Sequence, residues 1–184
     1  NYATFNCNAL VVAACGNANS TSLYYPASYN YVMSVAASDV NDSKWVNSSY
    51  NYMVDITAPG KDIYSTWTGA SLIVSSGTSM ASPVVSGAAS LVSSYFPQYN
   101  MLQVAERMRV TADIIDTLPA NQTYSGMLGT GRLNMYRALS DTMSPSVRLV
   151  DWSFSDSANE EFDPYDTLYV HAVALYYLDT TTSA

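Results

Sequence analysis

The tightest constraint on the fold is a change of hydrophobic period at Ser79. From Ser79 to Phe96, residues Met80, Val84, Val85, Ala88, Leu91, Val92 and Tyr95 fall on one helical face, while Ala81, Gly87 and Ala89 keep the rest of the surface thin. A helix that is apolar or small all round belongs inside a domain, covered by other elements. The segments upstream that can cover it are short. Residues 10–15 form an apolar run closed by Gly16-Asn17, and residues 32–37 form a second, entered through a turn-rich Tyr24-Tyr25-Pro26-Ala27-Ser28. Residues 53–58 and 71–75 are further short candidates, separated by Pro59-Gly60. Continuous apolar runs of this length suit strands buried on both faces. The predicted class is α/β, with a mainly parallel sheet packed between helices.

Residues 1–9 read as the tail of a helix, residues 102–111 as an amphipathic helix with Arg107 and Arg109 towards its end, and residues 132–139 as a third helix after Gly129 and Gly131. The core domain is therefore placed at residues 1–140. Residues 141–145 read as a linker, followed by a strand over 147–154, an acidic loop over 155–166 and a strand over 167–178. Two strands alone are marginal in water, so 141–184 is expected to be the linker and first strands of a β-sandwich-like domain.

Composition narrows the functional classes. The chain has 184 residues, 48% of them apolar, enough for one core and a modest extra piece. Seven basic against fifteen acidic residues leave no basic face for a phosphate backbone, so nucleic acid is not an expected partner. No apolar run approaches the ~18 residues of a membrane span. Cys7 and Cys15 make neither a disulfide framework nor a metal pattern, and read as small buried hydrophobes. Sixteen Tyr, few Lys and abundant Ser, Thr and Asn lean towards an exported protein. Asn1 opens without Met, n-region or cleavage site, so the chain reads as truncated.

The segment that carries chemistry is Gly77-Thr78-Ser79-Met80-Ala81-Ser82-Pro83. A serine hydroxyl is a poor nucleophile until a base takes its proton, and a helix N-terminus offers unpaired N–H groups and positive dipole to an oxyanion formed there. Pro83 is expected near the helix start, where its missing N–H costs little. From the residues alone, Ser79 is either a nucleophile or a capping serine. His171, the single histidine, alternates along the strand predicted over 167–178. With Asp113 or Asp116 it would give the Ser, Asp, His order of an α/β-hydrolase esterase, and Gly77-x-Ser79-x-Ala81 is a near miss of that family's nucleophile elbow.

The segment 77–83 followed by Gly87 resembles the serine motif of the subtilisin-like serine proteases, the subtilases. Val11-Val12-Ala13-Ala14-Cys15-Gly16-Asn17 is similar to the family's strand ending in the oxyanion-hole Asn, and Tyr25-Pro26-Ala27-Ser28 to its following loop. Asp55-Ile56-Thr57-Ala58-Pro59-Gly60, with Ile63, Ser65 and Thr66, resembles its segment before the serine, and Gly129-Thr130-Gly131-Arg132-Leu133-Asn134 its closing helix. The resemblance covers about residues 1–140 in the family's order. It implies a serine endopeptidase acting on peptide or protein substrates, with Ser79 as nucleophile and Asn17 as oxyanion donor beside the Ser79 N–H. It also implies that the triad Asp and His precede Asn17, in an N-terminal half that this chain lacks and that must partner it. Alone, the chain is expected to be inactive. Val84 stands where many relatives have His, a mild change on a buried helix.

The resemblance further places Ala14, Cys15 and Gly16 along one wall of the P1 pocket and Tyr24 near its base, where it would favour small P1 side chains. No cofactor is required for the chemistry. A structural calcium ion is implied at Asp55 with the carbonyls of Asn30 and Val32, since Ca²⁺ takes six to eight oxygens; Asp55 capping or pairing within its loop is the competing reading. The sequons at Asn19, Asn41, Asn47 and Asn121 matter only in a eukaryotic secretory host. The competing class for the whole is a non-catalytic or degenerate binding module.

Overall fold

A computed structural model of the chain describes residues 2–141, 144–155 and 169–178. After a short helix α1 (Tyr2–Cys7), the apolar runs become three strands, β1 (Val11–Ala14), β2 (Val32–Ser38) and β3 (Ile56–Pro59). They pair in parallel in the order β1-β2-β3, with Val11 opposite Val32 and Val35 opposite Ile56. Strand β2, hydrogen-bonded on both sides, is buried from Met33 to Ser38, whereas β1 is half-buried throughout. Burial on both faces was expected of β1; its outer edge instead carries no strand among the described residues.

Helix α2 (Thr78–Tyr95) lies across all three strands. It buries Ala81, Val85, Ala88, Ala89 and Val92 against Val35, Ala37, Ile56 and Ala58, and Met108 from helix α3 (Met101–Val110) completes this core. The all-round burial predicted for α2 is therefore corrected. Val84, Leu91 and Tyr95 are exposed, on a face shared with Gly87 and with Ser86, Ser90 and Ser94. Each of these three hydroxyls donates to the carbonyl four residues back, so the exposed face is nearly apolar in effect. Pro83 lies in the second turn rather than the first, and the helical bond it forfeits is the one to the Ser79 carbonyl.

Residues 71–75 leave the main sheet. Strand β4 (Ile63–Thr66), not foreseen, pairs antiparallel with β5 (Leu72–Ser75) in a ribbon of its own. Helix α3 starts on a capping box between Asn100 and Gln103. The third predicted helix begins later than expected, as α4 (Met135–Ser140) capped by Asn134, because Arg132 is held in β-bridges to Thr57 and Asp113. The tail forms an antiparallel pair, β6 (Ser146–Ser155) and β7 (Tyr169–Leu178), resting on α3. The acidic loop lies, but for its first residue, outside the described residues. Asn121 is fully buried and its amide nitrogen donates to the Asp42 and Ile115 carbonyls, so that sequon presents no acceptor at the surface.

One glycine fixes how the closing segment meets β3. Gly129 has φ +73°, and a Cβ there would sit inside the backbone of Asp55, while Thr130 N–H donates to the Asp55 carbonyl. Gly129→Ala is expected to cost more than about 2 kcal/mol, read as a lowered denaturation midpoint, because backbone must shift and φ is unfavourable. A midpoint within error of the parent would contradict this packing.

Candidate active site

The loops that leave the C-terminal ends of β1 and β3 converge on the N-terminus of α2. Gly60 N–H donates to the Ser38 carbonyl and Gly77 N–H to the Gly60 carbonyl, which sets the start of α2 at the sheet end. Ser79 follows one residue inside the helix and is exposed. No acceptor among the described residues takes its N–H, as is usual in the first turn of a helix.

Gly77 has no side chain to cap the helix, and Asn17 supplies the cap from the neighbouring loop. Asn17 Oδ1 accepts from Thr78 N–H at 2.9 Å and from Thr78 Oγ1 at 2.8 Å. Thr78 Oγ1 in turn accepts from Gly16 N–H at 3.3 Å, closing a ring of contacts between the two loops. With Oδ1 engaged, Nδ2 faces the other way. The position that a Cβ on Gly77 would take lies 3.4 Å from Asn17 Nδ2 and 3.6 Å from Ser79 N. Asn17 Nδ2 and Ser79 N therefore lie around one position, bordered also by Met80 Sδ at 3.5 Å, and unpaired N–H groups so grouped are suited to a developing negative charge.

Gly16 permits this loop to form. Its φ is +110°, and a Cβ would lie 2.7 Å from the Tyr24 ring, so a side chain there would collide with that ring. Cys15 turns inward: its thiol donates to the Ser49 carbonyl at 3.1 Å, and Ser49 N–H donates to the Gly16 carbonyl. Ala14 ends β1 in parallel register with Val35. The role of Thr78 in holding Asn17 was not foreseen; a buried Thr next to a motif serine carries no sequence signal of what it bonds.

The sequence model of the Subtilase family matches residues 2–137. This chain belongs to the subtilase family. It is 41% identical over 139 residues to thermitase of Thermoactinomyces vulgaris, covering 76% of this chain and 47% of that one. It is 37% identical over 125 residues to subtilisin BL of Lederbergia lenta, covering 68% and 44%. Among solved structures, the prenylagaramide maturation protease PagA superposes with a TM-score of 0.67 at 30% identity, covering 74% of this chain and 51% of that one. The chain thus spans about half the length of these relatives. Among the described residues no helix is long and apolar enough to cross a membrane.

Elsewhere the subtilase chain commits its other candidates to structure. Asp113 pairs with Arg132 and Arg137 and accepts from Asn134, and Asp116 accepts from Gly126 N–H. His171 lies opposite Ser153 in the tail hairpin. No hydrogen bond among the described residues joins Ser79 to any of these three, so the esterase order is not assembled.

Asp55 lies at the opposite end of the sheet, just before β3. It shares a cavity of about 350 Å³ with Asn30 and Val32, between the 29–33 loop, α3 and the tail hairpin. Its Oδ2 accepts from Ser34 N–H at 2.9 Å, and its Oδ1 faces Arg109 at 3.5 Å and Arg148 at 3.7 Å. The same two arginines bind the buried Glu106, each at 2.9 Å. Burial raises the Asp55 pKa, and the Ser34 N–H and both guanidinium groups pull it back. Two guanidinium groups against the only carboxylate of the expected donor set do not fit a dication there, so no step is routed through calcium.

Burial also pushes the Cys15 thiol up to about 11. Cys7, expected to be buried like Cys15, is instead exposed at the end of α1, so at about pH 8.5, where an ordinary thiol is half ionised, iodoacetamide is expected to alkylate Cys7 and leave Cys15 unmodified in the native protein. Equal modification of both, read by peptide mass, would contradict the packing of the Asn17 loop.

Proposed function

We propose that the chain carries the nucleophile and the oxyanion hole of a secreted serine endopeptidase. Ser79 Oγ attacks the carbonyl carbon of a peptide bond, and the carbonyl oxygen, now negative, accepts from Asn17 Nδ2 and Ser79 N–H. The amine leaves with a proton, and water then releases the acyl group from Ser79. The observation that supports this most is the double engagement of Asn17 Oδ1 by Thr78, which leaves Nδ2 free beside the Ser79 N–H. The base that takes the Ser79 proton, and the carboxylate that orients it, are a His and an Asp supplied from outside residues 1–184.

That remaining half of the catalytic domain would dock where this chain leaves apolar structure uncovered. The outer edge of β1 and the face of α2 around Val84, Gly87 and Leu91 are such a surface, with the flanking serines already bonded within the helix. The Tyr24 ring, in close approach to Gly16, would close the floor of the P1 pocket whose wall is Ala14, Cys15 and Gly16, favouring small P1 residues. Surplus acidic charge and few lysines are in keeping with export.

In the complete enzyme, Ser79→Ala is expected to lower kcat by at least about 10,000-fold. Asn17→Ala is expected to lower kcat by about 100- to 1,000-fold with KM little changed, the loss known for removing an oxyanion-hole donor in subtilisin itself. Full activity in either variant would overturn the assignment, and a complete protein with no peptidase activity would favour a binding module. A P1 preference for Phe or Arg would contradict the role given to Tyr24.

A further inference from the structure

Lys44 follows β2 and is a buried lysine, only 8% exposed. Its Nζ lies 2.8 Å from Asn19 Oδ1 and 3.1, 3.3 and 3.0 Å from the carbonyl oxygens of Trp45, Val46 and Ser48. The rings of Tyr124 and Tyr50 lie against it, at 4.6 and 5.2 Å to their centroids. An ammonium has three N–H donors, so four oxygens surround it as they would an ion rather than pairing one to one. Among the described residues no carboxylate lies within 4.0 Å of it. Burying an unpaired charge is costly, and burial does lower the Lys44 pKa; four oxygen dipoles and two π-faces offset that cost. These distances exceed the about 2.3–2.6 Å that Ca²⁺ requires, and a neutral donor set suits a single charge.

The cage also joins two pieces of chain. Asn19 has φ +47°, a conformation Asn tolerates, and its N–H donates to the Asn47 carbonyl. Ala18 N–H donates to Ser49 Oγ, and Tyr50 N–H to the Ser20 carbonyl. The 16–20 loop, which carries Asn17, is thus laid along the 45–50 segment, and the Lys44 ammonium ties the two together through Asn19.

We propose that the oxygens of Asn19, Trp45, Val46 and Ser48 form a monovalent-cation site, which the chain fills with its own Lys44 ammonium and through which Lys44 acts as a positioning residue for Asn17. The positioning role rests on the oxyanion function given to Asn17 above; the cation site does not.

The test uses the complete enzyme. In wild type, the Lys44 ammonium, observed by ¹H–¹⁵N NMR and assigned by its loss in Lys44→Arg, is expected to exchange with water at least about 10-fold more slowly than exposed Lys61. Equal rates overturn the cation site whether or not Lys44→Ala folds, since Lys44→Arg, which keeps the charge, serves only to assign the signal. Lys44→Ala is expected to melt lower and to lose about 10- to 100-fold in kcat with KM held. Potassium or methylammonium should restore both quantities, while lithium and tetramethylammonium should not. Lys44→Met, whose side chain fills the cage, should not respond. A Lys44→Ala protein whose melting temperature follows all four cations alike overturns the site. Recovery of melting temperature with kcat at the wild-type level throughout overturns the positioning role alone. A wild-type kcat in Asn17→Ala, by contrast, is a failure of the oxyanion reading.

Discussion

Helix α2 has at its N-terminal cap position Gly77, which has no side chain to cap it, and the cap comes instead from Asn17 in another loop. That single exchange ties the end of β1 to the start of the helix, because Oδ1 satisfies Thr78 N–H and Thr78 Oγ1 together. It also fixes which atoms of Asn17 remain free. An amide with its oxygen bound into the structure has only its N–H groups to offer outward, and they border the same space as the unpaired Ser79 N–H. The helix start and the loop geometry therefore depend on one contact, and the oxyanion role proposed for the site rests on the same contact.

Around that contact the chain spends glycine and buried polar groups where a simple core would use hydrocarbon. Gly16 lets Tyr24 lie against the backbone, and Ser49 and the Cys15 thiol bond the loop from beneath. Lys44 does so with a charge. At the other end of the sheet, Asp55, Glu106, Arg109 and Arg148 form a partly buried network that also holds the tail hairpin to α3, with Ser146 donating to Glu106 at 2.6 Å. Breaking one member of such a network leaves a partner unpaired, which costs more than the pair itself contributes.

Much of this was legible in the sequence. The parallel strands followed from short continuous apolar runs, and α2 followed from the change of period at Ser79. The motif residues Ser79 and Asn17 lie close in space although 62 positions apart in the chain (79 − 17). What periodicity could not give was which face of α2 is covered, since alanine, glycine and serine fit a buried and an exposed face equally. The start of α4 was hidden because the β-bridges of Arg132 are long-range. Asp55 illustrates the same limit: the resemblance implied an ion there with pairing as the competing reading, and only the fold shows two arginines converging on it from α3 and β6. The oxygens around Lys44 are mostly backbone, which a sequence does not display.

The most direct measurement is covalent labelling of the complete, active protein with a fluorophosphonate, followed by mass mapping of the adduct. The account predicts a single stoichiometric adduct on Ser79, forming far more slowly in Asn17→Ala because the phosphonyl oxygen needs the same two donors. An enzyme that cleaves peptides while its adduct lies on any other serine, or that leaves Ser79 unlabelled, would contradict it.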